Sequence, residues 1–341
     1  MGRGNIVLAK SASRSFPLLD VPAASWLVDC EEEPWDGRSP IGTGAHLSTF
    51  DGVEFHSCFY RSETGSRRLV VSLTSGGHGR TRENGPRFNR WTYVDETDSN
   101  MLCVDDPMVY LHGIKYGWFG GGTVERPMWA ALAKMINAVC AAAGLEDPEV
   151  VFFSSSSGGV ASILASSEMG VPCTVVALNP QLCIPSATRY KGYRRRGFLC
   201  PALDDPNFVL DIMRDHRENR YVVIENMASR LDYNQYFVPM CNRLAFRPTY
   251  GVTRHGNVVT WVYCAKVPRP HSAMDWKTIF PAMEFLVDNL DSLDSVPGHL
   301  LDMFTALIEE HHAQAAEIAR LEGAMGHPGE EGQDEGDQEK D

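Results

Sequence analysis

No C-x-x-C pair occurs in this chain. Its nine cysteines, Cys30, Cys58, Cys103, Cys140, Cys173, Cys183, Cys200, Cys241 and Cys264, are scattered singly. An odd count without a framework predicts reduced, buried thiols in a cytosolic protein. Metal-ligand spacing such as H-E-x-x-H is also missing, so neither a bound metal nor another cofactor is expected. No apolar stretch approaches the ~18 residues that a membrane span needs. The first residues, MGRGNIVLAKSASRSF, lack a long apolar core, so no secretory signal is expected and the predicted location is cytoplasmic. Positive charge is scarce: 31 Lys and Arg against 44 Asp and Glu give a net charge of −13. That balance argues against a nucleic-acid partner, which would want a basic surface. Residues 327–341 alone contribute −6.

What is present reads as an alternation of strands and helices. Residues 1–68 hold short apolar runs broken by Pro, Gly and Ser, among them Asn5–Ala9, Ser25–Val28 and Val53–Tyr60, which predict a β-rich N-terminal section. Buried-strand runs follow at Arg68–Thr74, Asn100–Val104, Glu149–Phe153, Cys173–Leu178, Tyr221–Glu225 and Thr260–Val267. Helical periodicity marks Met128–Ala143, stopped by Gly144, and Trp276–Leu290. This order predicts a mostly parallel sheet with helices on both faces, preceded by the β-rich section. The expected division is 1–68, a catalytic domain over 69–292, an amphipathic helix within 297–322, and a disordered acidic tail over 323–341. The helix, Leu300–Leu321, is a candidate surface for a protein partner. Right-handed crossovers would bring the loops at Ser75, Ser154, Asn179, Asn226 and Pro268 to one sheet edge.

The chemistry centres on Ser154–Gly159, four serines and two glycines between a strand and a helix. A small-residue turn in that position is the form of a nucleophile elbow, which needs small side chains two residues before and after the nucleophile. Ser156, flanked by Ser154 and Gly158, fits best; Ser157, flanked by Ser155 and Gly159, is the competing register. The plainer reading is a run of helix-capping serines. His271 follows the last major strand as a candidate base. Asp232 follows the strand before it as the candidate acid, with Glu225 a rival. Ser…Asp…His is the chain order of α/β-hydrolases. The oxyanion donors would be the backbone N–H of Ser157 and one from the loop holding Gly76 and Gly77. His78 in that loop, Trp118 in an aromatic glycine-rich stretch, and Arg194 in the basic loop Tyr190–Arg196 are candidate substrate contacts.

Several segments together resemble a bacterial α/β-hydrolase-fold family associated with surface-polysaccharide gene clusters. They are Leu69–Thr74 with its glycine loop, Pro86-Arg87-Phe88-Asn89-Arg90-Trp91, Asp106-Pro107, Gly117-Trp118-Phe119-Gly120, the elbow itself, and Asn179-Pro180-Gln181. The family is distantly similar to the acetyltransferase-like proteins of the accessory Sec secretion system. The resemblance spans roughly residues 69–290. It implies a Ser-His-Asp/Glu site acting on acyl esters of glycans or small molecules, either as an esterase or as an acyltransferase. It maps the nucleophile onto Ser156 and adds Gln181 to the candidate substrate contacts. Its acid follows an Asn-x-x-Asp arrangement, stretched here to Asn226 and Asp232. The other expectation is a hydrolase-like binding or scaffolding protein without turnover, favoured by Ser154 standing where an elbow usually has glycine.

Overall fold

The computed structural model describes residues 32–76, 86, 88, 90–274, 280–295 and 298–324. The early runs Asn5–Ala9 and Ser25–Val28, and most of the acidic tail, lie outside the described residues. The strands are β1 (Glu33–Pro34), β2 (Gly44–Phe50), β3 (Val53–Tyr60), β4 (Arg68–Leu73), β5 (Asn100–Val104), β6 (Glu149–Ser155), β7 (Cys173–Leu178), β8 (Arg220–Asn226), β9 (Gly251–His255) and β10 (Val258–Tyr263). They form one sheet in the order β1-β2-β3-β5-β4-β6-β7-β8-β10-β9. From β5 to β10 every neighbouring pair is parallel. β3 joins β5 antiparallel, β2 joins β3 antiparallel, and β9 closes the other edge antiparallel to β10. This is an α/β-hydrolase-like sheet, with the β-rich N-terminal strands added to its first edge.

The central strands are apolar throughout because both of their faces are covered. Alternate residues turn to opposite sides. Leu69, Val71, Val150, Phe152, Val175 and Val223 join one core. That core includes residues of the helices α2 (Met128–Ala142), α3 (Ser156–Ser166), α5 (Phe208–Asp215) and α6 (Val238–Arg243). Val70, Val151, Phe153, Val176, Val222 and Trp261 belong to the other core, with Trp91, Tyr93, the helix α7 (Phe280–Asp288) and Ile308 of α8 (Gly298–Ala324). The short helices α1 (Met108–His112) and α4 (Tyr190–Arg195) lie in the connections. The segment expected as a basic loop from Tyr190 is therefore mostly helix.

β10 stops at Tyr263 although the apolar pattern continues to Val267. Asn226, at the end of β8, is the physical reason. Its side chain accepts from Ala265 N–H at 3.0 Å and donates to Ala265 C=O at 3.0 Å. Those bonds occupy the backbone groups that a longer ladder would use, and they turn the chain out of the sheet toward His271.

Candidate active site

Each of the four serines makes a different contact, and together they explain the run. Ser154 is wholly buried; its Oγ accepts from Leu73 N–H and from the Ser162 hydroxyl, both at 3.0 Å. Its Cβ, where an elbow usually has none, is thus accommodated by bonds to β4 and α3. Ser155 accepts from Arg90 Nη2 at 2.8 Å. Arg90 is buried on the opposite face, also reaches Ser72 Oγ at 3.3 Å, and holds its guanidinium 5.2 Å from the centre of the Phe153 ring. Ser156 opens α3 with a φ of 54°. For a residue with a Cβ that left-handed conformation costs roughly 1–2 kcal/mol, and a sharp strand-to-helix turn is what requires it. Ser157 is buried and its Oγ accepts from Gly76 N–H at 3.1 Å.

The two glycines let α3 sit this close. A Cβ on Gly158 would lie 2.4 Å from the Leu73 carbonyl oxygen. One on Gly159 would lie 3.2 Å from the Cβ atoms of Ala177 and Pro180. The first amides of α3, at its Ser156 end, have no partner within the helix, and the Ser155 side chain does not cap them.

His271 and Asp232 meet across two loops at the same sheet edge. His271 Nδ1 lies 2.7 Å from Asp232 Oδ2. Asp232 is buried, within a helical turn that runs on from Arg230, and also accepts from the Ser229 hydroxyl. With a carboxylate on Nδ1, the proton sits there and Nε2 is left as an acceptor. Among the described residues, no hydrogen bond joins Ser156 to His271; in ligand-free sites such bonds often tighten only with substrate present.

Two buried asparagines position these loops, and the sequence pattern marks them only as strand ends. Asn179, with a φ of 41°, donates from Nδ2 to His271 C=O at 2.5 Å and accepts from Asn226 N–H at 2.9 Å. Asn226 donates to Pro270 C=O at 3.0 Å as well as to Ala265. Amide side chains that donate and accept in several directions can tie three loops at one point. Glu225, one residue earlier on β8, does not contact His271 through a hydrogen bond. It is wholly buried, and burial, then the neighbouring Asp232, hold its carboxyl well above the usual carboxylate range.

Of the candidate substrate contacts, Trp118 and Gln181 come together. Trp118 Nε1 donates to Gln181 Oε1 at 2.9 Å. Gln181 N–H reaches Ser156 C=O at 3.4 Å, which ties the loop after β7 to the elbow. Trp118 and Phe119 both take left-handed backbone, with φ values of 56° and 51°, and buried Asp106 accepts from Gly117 N–H at 2.7 Å to hold that turn. The rings of Tyr116, Trp118 and Tyr193 pack edge-on at 5.0–6.5 Å, beside Gly76. Burial, then Asp232 and Tyr116, push the Tyr236 hydroxyl up to about 12. Arg194 is engaged elsewhere, with Nε at 2.8 Å and 2.9 Å from the two carboxylate oxygens of Asp204. Gly77 and His78 lie outside the described residues. Gly76 differs from expectation: its N–H is directed at the Ser157 hydroxyl rather than left open.

No known protein family matches the chain, and no curated protein matches it by sequence. Among the described residues, no helix is long and apolar enough to cross a membrane. Solved structures to which the chain is similar include the capsule O-acetyltransferase of Neisseria meningitidis serogroup A, at 9% identity and a TM-score of 0.45, covering 70% of this chain and 94% of that one. Dienelactone hydrolase from Anabaena variabilis aligns at 10% identity and a TM-score of 0.43, covering 72% and 96%. An esterase from the planctomycete Thermogutta terrifontis aligns at 13% identity and a TM-score of 0.44, covering 72% and 92%.

Proposed function

We propose that this chain is a serine-dependent ester hydrolase or acyltransferase, with Ser156 as nucleophile, His271 as base and Asp232 as its orienting acid. The observation that carries the reading is the 2.7 Å bond between His271 Nδ1 and Asp232 Oδ2, at the sheet edge where Ser156 adopts left-handed backbone. The register favours Ser156 over Ser157 for two reasons: the strained φ belongs to Ser156, and the Ser157 hydroxyl is held by Gly76.

Ser156 Oγ attacks the ester carbonyl carbon and passes its proton to His271 Nε2. The carbonyl π pair moves to oxygen, beside the first amides of α3, whose partial positive charge favours the anion. Collapse breaks the bond to the alcohol oxygen, which leaves with the proton from Nε2. Water or a sugar hydroxyl then repeats the steps on the acyl-serine. The products are a carboxylic acid or a new ester, and Ser156 recovers its proton. A glycan O-acyl ester as substrate rests on the sequence resemblance; the site's chemistry serves any accessible ester.

Fluorophosphonate labelling tests the reading. The folded protein should label, Ser156→Ala should lose the label, and Ser157→Ala should keep it. A folded protein that does not label sinks the proposal, and loss only in Ser157→Ala reverses the register.

A further inference from the structure

One of the two glycines expected to supply an oxyanion donor from the loop after β4 is Gly76, yet its N–H points at Ser157 Oγ, 3.1 Å away. A serine hydroxyl has one proton to donate and two lone pairs to accept with. Here one lone pair is filled from Gly76. Among the described residues, no acceptor takes the hydroxyl proton, although Ser157 is only 2% exposed. A buried donor without an acceptor is costly, by roughly 1–3 kcal/mol. Such groups call for an explanation, and a transient acceptor supplies one.

The acceptor would come from the reaction. Ser157 follows the nucleophile, and its own N–H is in the first turn of α3, where it has no helical partner. Oγ of the same residue is joined to that N–H through only Cα and Cβ, so a single rotation about χ1 decides whether an oxygen bonded to the N–H also meets the hydroxyl. We propose that the Ser157 hydroxyl is the second donor of the oxyanion hole, polarised by Gly76 N–H behind it. The inference rests on Ser156 being the nucleophile. In the ground state the carbonyl oxygen carries little charge; when Ser156 Oγ bonds to carbon, the π pair moves to oxygen and the Ser157 O–H···O bond becomes charge-assisted. The proton stays on Ser157, so the step balances without any further reactant. Leaving Oγ as acceptor for Gly76 also fixes the loop, so the donor is oriented before substrate arrives.

The test uses the full chain with p-nitrophenyl acetate as substrate and phenylboronic acid as a probe that forms a tetrahedral, negatively charged adduct on serine. In Ser157→Ala, kcat should fall about 10²-fold with KM little changed. Boronate affinity should fall with it, and Ser157→Thr, which keeps the hydroxyl, should recover most of both. Thermal melting and Ser156-dependent fluorophosphonate labelling report whether each variant is folded with its nucleophile in place. If Ser157→Ala is folded, labels at Ser156 and keeps wild-type kcat and boronate affinity, the hydroxyl donor is wrong while the nucleophile stands. A raised KM with unchanged kcat assigns Ser157 to loop positioning alone and also overturns the inference. Should Ser157→Ala fail to fold, Ser157→Thr against Ser157→Val decides: equal kcat in the two overturns it. Wild-type protein that never labels removes Ser156 as nucleophile and this inference together.

Discussion

Both carboxyl oxygens of Glu225 are buried and, among the described residues, have no hydrogen-bond partner. Asp232, Tyr233, Cys241 and Tyr263 surround it electrostatically. Burial and the Asp232 charge raise its folded pKa well above 4.5, the ordinary value it regains on unfolding. Above that ordinary value the unfolded chain releases this proton while the folded chain keeps it. The native state then binds more protons, so Glu225 makes stability fall as pH rises, until the folded pKa is passed. Glu225→Gln removes the titration and keeps the shape. Its melting temperature should match that of the wild type near about pH 4, where glutamate is protonated in both states, and exceed it increasingly up to about pH 8. Parallel melting curves across that range would show that Glu225 is not held neutral. The same contrast explains why the sequence left two acids open at the site. Asp232 and Glu225 lie seven positions apart, and what separates them is that one meets an imidazole and the other is buried with no hydrogen-bond partner among the described residues. Neither environment is written in the residues next to them.

At the scale of elements, the close approach between α3 and the end of β4 decides the site. Gly158 faces the Leu73 carbonyl, and a Cβ there would lie 2.4 Å from a backbone oxygen that cannot swing away. Gly158→Ala should therefore push α3 off β4, stretch the Leu73 N–H bond to Ser154 and the Gly76 N–H bond to Ser157, and displace Ser156. Overpacking of this kind costs about 1–3 kcal/mol. The expected outcome is a lower urea midpoint together with a loss of fluorophosphonate labelling, whereas Gly192→Ala, in open space on α4, should change neither. Unaltered labelling in Gly158→Ala would mean that the elbow tolerates a wider approach. The strand-to-helix turn at the serines and the central strands are legible in the sequence because continuous apolar runs ending in small residues have few other uses. β2 and β9 are not: each sits toward an edge with polar residues such as His46 and Arg254, so neither forms a long apolar run. β10 is shorter than its apolar run because the signal that ends it, the Asn226 side chain bonded to Ala265, lies on another strand. Arg90 enters the sequence pattern only as part of a motif, since its bonds to Ser72 and Ser155 join residues far apart in the chain.

Across the whole molecule, the two cores share the same strands. Residues of β4, β6, β7 and β8 alternate between them, so neither core can dissolve without exposing half the side chains of the central sheet. The cysteines sample both. Cys58 and Cys103 lie in the core with Trp91 and α7; Cys140, Cys173, Cys200 and Cys241 lie in the core with α2 and α3. Burial pushes the thiols of Cys103, Cys173 and Cys241 up to about 12 and that of Cys140 up to about 11. A thiol reacts as the thiolate and only when reached, so these groups are protected twice over. Cys183 and Cys264 are partly exposed. Iodoacetamide near neutral pH, read by peptide mass spectrometry, should therefore modify Cys183 and Cys264 in the native protein well before the six buried thiols. In a urea series those six should become reactive at one common midpoint, because the sheet ties the two cores into a single opening event. Release of Cys58 and Cys103 at clearly lower urea than the other four would show that the face carrying α7 unfolds alone. The sheet would then keep its elbow-bearing face while losing the cover beneath Phe153 and Arg90.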